Sequence, residues 1–200
     1  MVAEKVIEKN APGRPRDPET ERRILDVTLR HLAEEGYSRM SLDNIAVAAG
    51  VSKPTIYRRW PAKADLATAA LRTLQLAEPA IDTGTTPGDL AATLENFSRS
   101  LFRPNGMSLI GTVLAEEAHT PELLALFRER IVAPRREMLR VILRRAHRNR
   151  ELRRGADIEA AINLLVGGFY ARYLSGDPIP LTFPRDLVKI VWPGIARGHA

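Results

Sequence analysis

The chain contains no cysteine among its 200 residues, which excludes a disulfide framework, a thiol nucleophile and a cysteine-ligated metal. That fits a reducing compartment. No apolar run approaches the roughly 18 residues of a membrane span, and the first residues lack the apolar centre of a secretory leader. The expected location is cytoplasmic, with no membrane partner. Phosphate-cradling and nucleophile motifs are missing as well: there is no P-loop, no GxGxxG and no nucleophile elbow. The four histidines are scattered. His31 lies beside an apolar stripe and reads as a packed helix residue. Glu116 and His119 stand at i and i+3, half of a metal site without a second half. No enzyme, no metal and no cofactor is expected.

What is present is an apolar content of 44%, ordinary for a globular protein, in a length suited to one or two small domains. The net charge is +6 and is unevenly placed. Lys9 to Arg16 carries three cations and no acid. Asp17 to Ser38 carries three arginines against six acids, and Arg39 to Lys63 carries five cations against Asp43 alone. Positive charge thus gathers on an N-terminal arm and on one short segment, as expected of a nucleic-acid face.

That segment is Ser41 to Lys63, SLDNIAVAAGVSKPTIYRRWPAK. Leu42, Ile45, Ala46 and Ala49 recur at i, i+3, i+4 and i+7, one face of a helix. Ser41 reads as its cap, Asp43 favours the positive end of the dipole, and Gly50 stops it in a left-handed turn. Val51 plugs the core, Ser52 is the expected cap of a second helix, and Pro54 fits its first turn. In that helix, of about two turns, Ile56 and Trp60 point inward. Lys53, Pro54, Thr55, Tyr57, Arg58 and Arg59 cover the rest, a set of cations, hydroxyls and an apolar ring suited to phosphates and base edges. An ordinary helical hairpin with a solvated charged face would share the shape, so the residues carry the argument.

Those residues, VSKPTIYRRWPAK preceded by SLDNIAVAAG, resemble the DNA-binding motif of the TetR (tetracycline repressor) family over roughly Asp17 to Leu76. The resemblance implies an all-α protein with an N-terminal three-helix helix-turn-helix domain and a C-terminal helical ligand-binding and dimerisation domain. It also implies positions. Lys53 and Pro54 would reach bases, lysine at guanine and proline at a thymine methyl. Thr55, Tyr57, Arg59 and Lys63 match phosphate-holding positions. Arg58, on the same outer face as Pro54, is the second candidate for a base contact. Ser41 and Ser52 would add phosphate bonds from helix starts. In the arm, which reads first as a flexible leader with incidental charge, Arg14 and Arg16 could instead reach an adjacent minor groove.

Residues 1–16 read as a flexible basic arm, 17–77 as the DNA-binding domain with its linker helix, and 78–200 as a second helical domain. Asp17-Pro18-Glu19 starts the first helix, and Ala62 to Ala77 continues as a helix that leaves the DNA-binding unit. Pro79 and DTGTTPG mark the boundary. Thr86-Pro87 opens the next helix, with Leu90, Leu94, Phe97 and Leu101 on one side. Met107, Ile110, Val113 and Leu114 follow, then Phe127 and Ile131, and Pro134 predicts a kink or a new start. A last helix runs from Arg185 to Trp192.

In the resembled family the second domain builds a ligand cavity that acts as a switch, for an inducer the sequence does not identify. Phe97, Leu101, Met107, Ile110, Val113, Leu114, Phe127 and Phe169 are its candidate lining; each also reads as plain core. The helices from Asp157 to Leu174 and from Arg185 to Trp192 carry more apolar surface than a small monomer readily hides. They are therefore expected to pair two copies, with Leu164, Gly167, Gly168, Ala171, Leu187, Ile190 and Val191 as candidates. A homodimer would read an inverted-repeat operator on double-stranded DNA. The expected function is a homodimeric, ligand-released repressor. Arg128 to Arg154 holds eleven arginines and three glutamates. It reads first as a solvated face, or else as contact for an anionic inducer, an acidic partner or DNA. The competing function is a nonspecific architectural nucleic-acid binder using that segment.

Overall fold

The computed structural model describes residues 17–73 and 81–198, and the described residues form α-helices with no strand. The arm with Arg14 and Arg16, and the linker-helix end expected to reach Ala77, lie outside them.

Helix α1 (Pro18–Glu35) begins where Asp17 turns extended and its carboxylate accepts from the Glu19 amide at 3.1 Å. It buries Ile24, Leu25, Val27, Thr28 and Leu32. Helices α2 (Leu42–Ala48), α3 (Lys53–Tyr57) and α4 (Lys63–Arg72) close over that face. Ile45, Ile56, Leu66 and Leu71 are almost wholly shielded. The same apolar cluster takes in residues far along the chain: Leu109 and Val113 of α6 (Gly106–Ala115), Leu123 and Phe127 of α7 (Pro121–Phe127), and Ile131. The first four helices therefore share a core with the next part of the chain. Because α3 has only five residues, it is held by this packing and not by its own hydrogen bonds. Ile56→Ala is expected to cost about 3 kcal/mol of stability, read as a lower urea midpoint with unchanged slope.

The second cluster joins α5 (Thr86–Leu101), α8 (Ala133–Arg148), α9 (Ile158–Leu174) and α10 (Phe183–Ile195) through Leu90, Leu94, Leu139, Leu143, Ile162, Leu165 and Val188. Phe169 is its hub, with the rings of Phe97 and Phe183 each 5.2 Å away at near right angles. Buried Asp89 ties the cluster to the segment before it. Its carboxylate accepts from the Thr83 amide at 2.6 Å and hydroxyl at 2.8 Å, and from Arg145.

Several local expectations are corrected. The helix expected at Thr86 is capped one residue earlier, by Thr85 accepting from the Gly88 amide at 3.1 Å. Thr86 is buried and donates to Glu151 at 2.7 Å. Proline is tolerated at either of the first two helical positions, so the sequence left the register open. At Pro134, where a kink or a new start was expected, a new helix does start: a widened π-helical turn, Arg128–Val132, leads into α8, with the proline in its first turn. Such a turn accommodates the missing amide and the ring. α10 starts at Phe183, two residues before the expected Arg185, and includes Pro193, ending at Ile195 instead of Trp192.

The arginine-rich segment is engaged with the chain itself. Arg140 bonds Glu159 at 2.5 Å and also Glu137; Arg136 bonds Glu159 at 2.9 Å and Asn163 at 2.8 Å; Arg144 bonds Glu137 at 3.2 Å. The hydrogen bonds from Arg140 and Arg136 hold the Glu159 carboxyl at about 2. These are partly exposed pairs, screened by water on the carboxylate side and worth little to stability individually.

Candidate functional site

The helix-turn-helix is built from caps and one left-handed residue. Ser41 Oγ accepts from the amides of Asp43 at 3.2 Å and Asn44 at 3.5 Å, satisfying the start of α2. Gly50 takes φ 62°, a conformation costly for a side chain, and lets the Val51 amide return to the Ala46 carbonyl at 2.9 Å. Arg23 of α1 reaches under the turn and donates to the Ala49 carbonyl at 2.7 Å. α3 is shorter than the two turns expected: five residues, followed by a turn through Arg58 and Arg59. Ser52 does not cap it; its hydroxyl pairs with the Thr55 hydroxyl at 2.9 Å.

Ile56 and Trp60 are buried, and that fixes what faces outward. Ser52, Lys53, Pro54, Tyr57 and Arg58 are exposed; Thr55, Arg59 and Lys63 are half-buried. Arg59 keeps Nη1 buried without a hydrogen-bond partner. Lys53 stands 2.8 Å from Asp43 on α2 and 5.9 Å from the Tyr57 ring centroid. The Asp43 hydrogen bond raises its pKa. Lys63, the first residue of α4, donates to the Ser38 carbonyl at 3.1 Å and lies 4.7 Å from the Tyr37 ring centroid. Burial lowers its pKa, opposed by the Glu116 carboxylate. Glu116, just past α6, accepts from the Ser38 hydroxyl at 2.6 Å. Neither the Lys53–Asp43 pair nor the Glu116–Ser38 bond left a sequence signal, since the partners lie 10 and 78 residues apart.

A cavity of about 800 Å³ lies between the two clusters. Leu25 and Glu21 of α1 and Ala69, Arg72 and Thr73 at the end of α4 form one wall. Thr93, Leu94, Phe97 and Ser100 of α5, Ile110 of α6, and Val166 and Tyr170 of α9 form another. Phe127, Ile131, Val132 and, at the start of α8, Pro134, Arg135, Arg136, Met138 and Leu139 close it. Of the expected lining, Phe97, Ile110 and Phe127 are on the wall. Leu101, Met107, Val113, Leu114 and Phe169 are not. Leu101, Val113 and Phe169 are packed core, Met107 packs half-buried on the second cluster, and Leu114 is 54% exposed.

On α9, Leu164 is exposed at 63%, and Gly167, Ala171 and exposed Leu174 follow along the same side. On α10, Ile190 is 77% exposed and Val191 half-buried. Gly168 has another task. A Cβ there would sit 2.7 Å from Leu187, so these two expected interface residues pack against each other within the chain.

Residues 24–70 match the family described as "Bacterial regulatory proteins, tetR family", and residues 80–191 match "Tetracyclin repressor-like, C-terminal domain". The HTH-type transcriptional regulator YdeS of Bacillus subtilis is 34% identical over 94% of this chain and 96% of its own length. The HTH-type transcriptional regulator Rv1556 of Mycobacterium tuberculosis is 36% identical over 94% and 91%. Over 73 residues, 36% of this chain and 38% of its own, the DNA-binding transcriptional repressor TetR of Mycobacteroides abscessus is 44% identical. Among solved structures, the TetR family transcription regulator SCO0332 superposes with a TM-score of 0.63 at 28% identity, covering 88% of this chain and 98% of that one. The regulator FrrA shares the fold, with a TM-score of 0.71 at 21% identity over 90% and 98%. The outward-facing helix-turn-helix and these relatives agree: the chain belongs to the TetR family and is a DNA-binding transcriptional regulator.

Proposed function

We propose that the protein is a homodimeric repressor that holds an inverted-repeat operator and is released from it by a small molecule in the cavity. The observation that carries this reading is the shared wall: Leu25, Ala69, Arg72 and Thr73 belong to the helix-turn-helix unit yet line the same cavity as α5, α8 and α9. A molecule that fits only one arrangement of those helices biases the position of α3, and a ligand shifts an equilibrium by its difference in affinity for the two states. α6 offers a second connection, since Ile110 lines the cavity and Glu116, just beyond the helix, grips Ser38 beside Lys63.

The apolar faces of α9 and α10 support pairing of two copies. α9 is apolar around most of its circumference, and such a helix needs cover on both sides. Two copies would present two recognition helices to successive major grooves. In that complex Lys53, Pro54 and Arg58 read bases, while Ser41, Ser52, Thr55, Tyr57, Arg59 and Lys63 hold phosphates. The 44% identity with a relative named as a repressor favours repression over activation.

Alanine substitutions test the assignment. Lys53→Ala or Arg58→Ala is expected to change preference at one base pair by ~1–3 kcal/mol, whereas Lys63→Ala weakens all sites alike. Operator selected from random DNA, measured against scrambled duplex, checks both. Equal losses on both duplexes for all three variants would remove the base-reading roles. A failure of selection to enrich any inverted repeat would remove the operator reading.

A further inference from the structure

Ser38 stands in the turn between α1 and α2 and is gripped from two sides. Its amide and its hydroxyl both donate to Glu116 Oε1, at 3.3 and 2.6 Å, and its carbonyl accepts from Lys63 Nζ at 3.1 Å. Glu116 comes from 78 residues away and closes α6. Its second oxygen accepts from the Thr120 hydroxyl at 3.4 Å. The Ser38 hydroxyl is the largest influence on its carboxyl, whose pKa lies below the ordinary value. α6 is itself anchored: Leu109 and Val113 are buried in the first core, and the Thr112 hydroxyl donates to the Leu32 carbonyl of α1 at 3.2 Å. The carboxylate thus reaches from a fixed base onto an exposed residue.

Lys63 depends on that turn. An ammonium has three donors. One goes to the Ser38 carbonyl, and the ring of buried Tyr37, the preceding residue, lies 4.7 Å from the same ammonium. A lysine on its flexible four-carbon stem loses much rotamer freedom when it is fixed. Here the turn orders the side chain before DNA arrives, so less of that cost falls on binding.

We propose that Glu116 is a positioning residue for DNA binding: it holds Ser38, so that Ser38 and Tyr37 hold the Lys63 ammonium where a phosphate takes its remaining donors. This rests on the reading of Lys63 as a phosphate contact. Two effects of Glu116 oppose each other. Its charge repels phosphate, and its grip on the turn favours the contact. Salt screens the repulsion and leaves the short hydrogen bonds in place, so the grip prevails.

The test compares Glu116→Ala, Glu116→Gln and Lys63→Ala in the full-length protein on a mixed-sequence duplex, since a phosphate contact needs no operator. Affinity is measured over a range of salt, because each lost phosphate contact flattens the slope of log affinity against log salt by about one per subunit. Lys63→Ala is expected to show that flattening with an affinity loss of about three- to tenfold. Glu116→Ala is expected to reproduce both, although it removes a negative charge. Glu116→Gln keeps an acceptor for Ser38 and is expected to keep the wild-type slope and at least the wild-type affinity. The double variant Glu116→Ala with Lys63→Ala is expected to bind no more weakly than Lys63→Ala alone. A smaller folded fraction would shift the salt line without tilting it, so the slope separates positioning from folding.

An unchanged slope in Glu116→Ala, tighter binding by both Glu116 variants, additive losses in the double variant, or a flattened slope in Glu116→Gln would each overturn the proposal and leave the phosphate role of Lys63 standing. An unchanged slope in Lys63→Ala would remove that phosphate role and the proposal with it.

Discussion

Leu164→Glu combined with Ile190→Glu is expected to give a folded monomer that has lost operator binding. Both side chains lie largely in solvent within one chain, at 63% and 77% exposure. A carboxylate at either position therefore disturbs nothing in the subunit's own core. In the proposed dimer each would be buried against the partner, where an unpaired charge costs several kcal/mol. A monomer presents a single five-residue recognition helix. Losing the second, tethered contact is expected to weaken operator binding by about 10²- to 10⁴-fold. The affinity for half a site should be unchanged. Light scattering at micromolar concentration, beside operator titration, checks both parts. A double variant that remains dimeric would place the pairing surface elsewhere and leave the exposed stripe of α9 without its assigned role.

Asp89→Asn is expected to cost about 3 kcal/mol of stability, the lower end for breaking a buried ion pair. The lower end applies because Asp89 is fully buried while the Arg145 side chain is 38% exposed and can turn to water. The effect should also carry a pH signature. Burial alone would raise the Asp89 pKa, but the amide and hydroxyl of Thr83 and the charge of Arg145 together outweigh it, and the net shift is downward. A carboxyl with a lowered folded pKa contributes stability that is complete above the unfolded value, about 3.9. That contribution is lost as pH falls through the folded value. The stability difference between wild type and Asp89→Asn should thus be full at pH 7 and shrink below about pH 4. Urea midpoints at a series of pH values measure it. A difference that stays constant down to pH 2.5, about a unit and a half below the unfolded value, would mean that the charge of Asp89 contributes nothing.

What the sequence made legible was local burial. Ile45, Ile56, Trp60, Leu66, Leu90 and Leu94 were readable as inward because helical spacing records which side of each helix faces protein. Gly50 and Ser41 were readable because few residues fit those turns. The cavity was much less so. Phe97 and Leu101 share one stripe of α5, yet only Phe97 meets a gap. That depends on Ile131, Val132 and Val166, which approach from other helices, and no periodicity within α5 encodes their distance. The same holds for Gly168 and Leu187, whose mutual contact inside one chain looks, in sequence, like surface left for a partner. Membership of the cavity wall by α1 and α4 was missed for this reason too. Their residues Leu25 and Ala69 sit on faces already explained by the first core.

On the proposed reading of Lys53 as a base contact, its pair with Asp43 must be given up before it meets duplex DNA. An exposed pair of this kind holds its lysine only weakly, so a phosphate can draw Lys53 away, but the exchange merely swaps one anion for another. Any approach to the backbone also carries the abandoned Asp43 carboxylate toward further negative charge. Asp43 already offers Lys53 both carboxylate oxygens, at 2.8 and 3.0 Å, so the lysine gains from DNA only what exceeds that pair. On that reading Asp43 is a competitor for Lys53 that every duplex must displace.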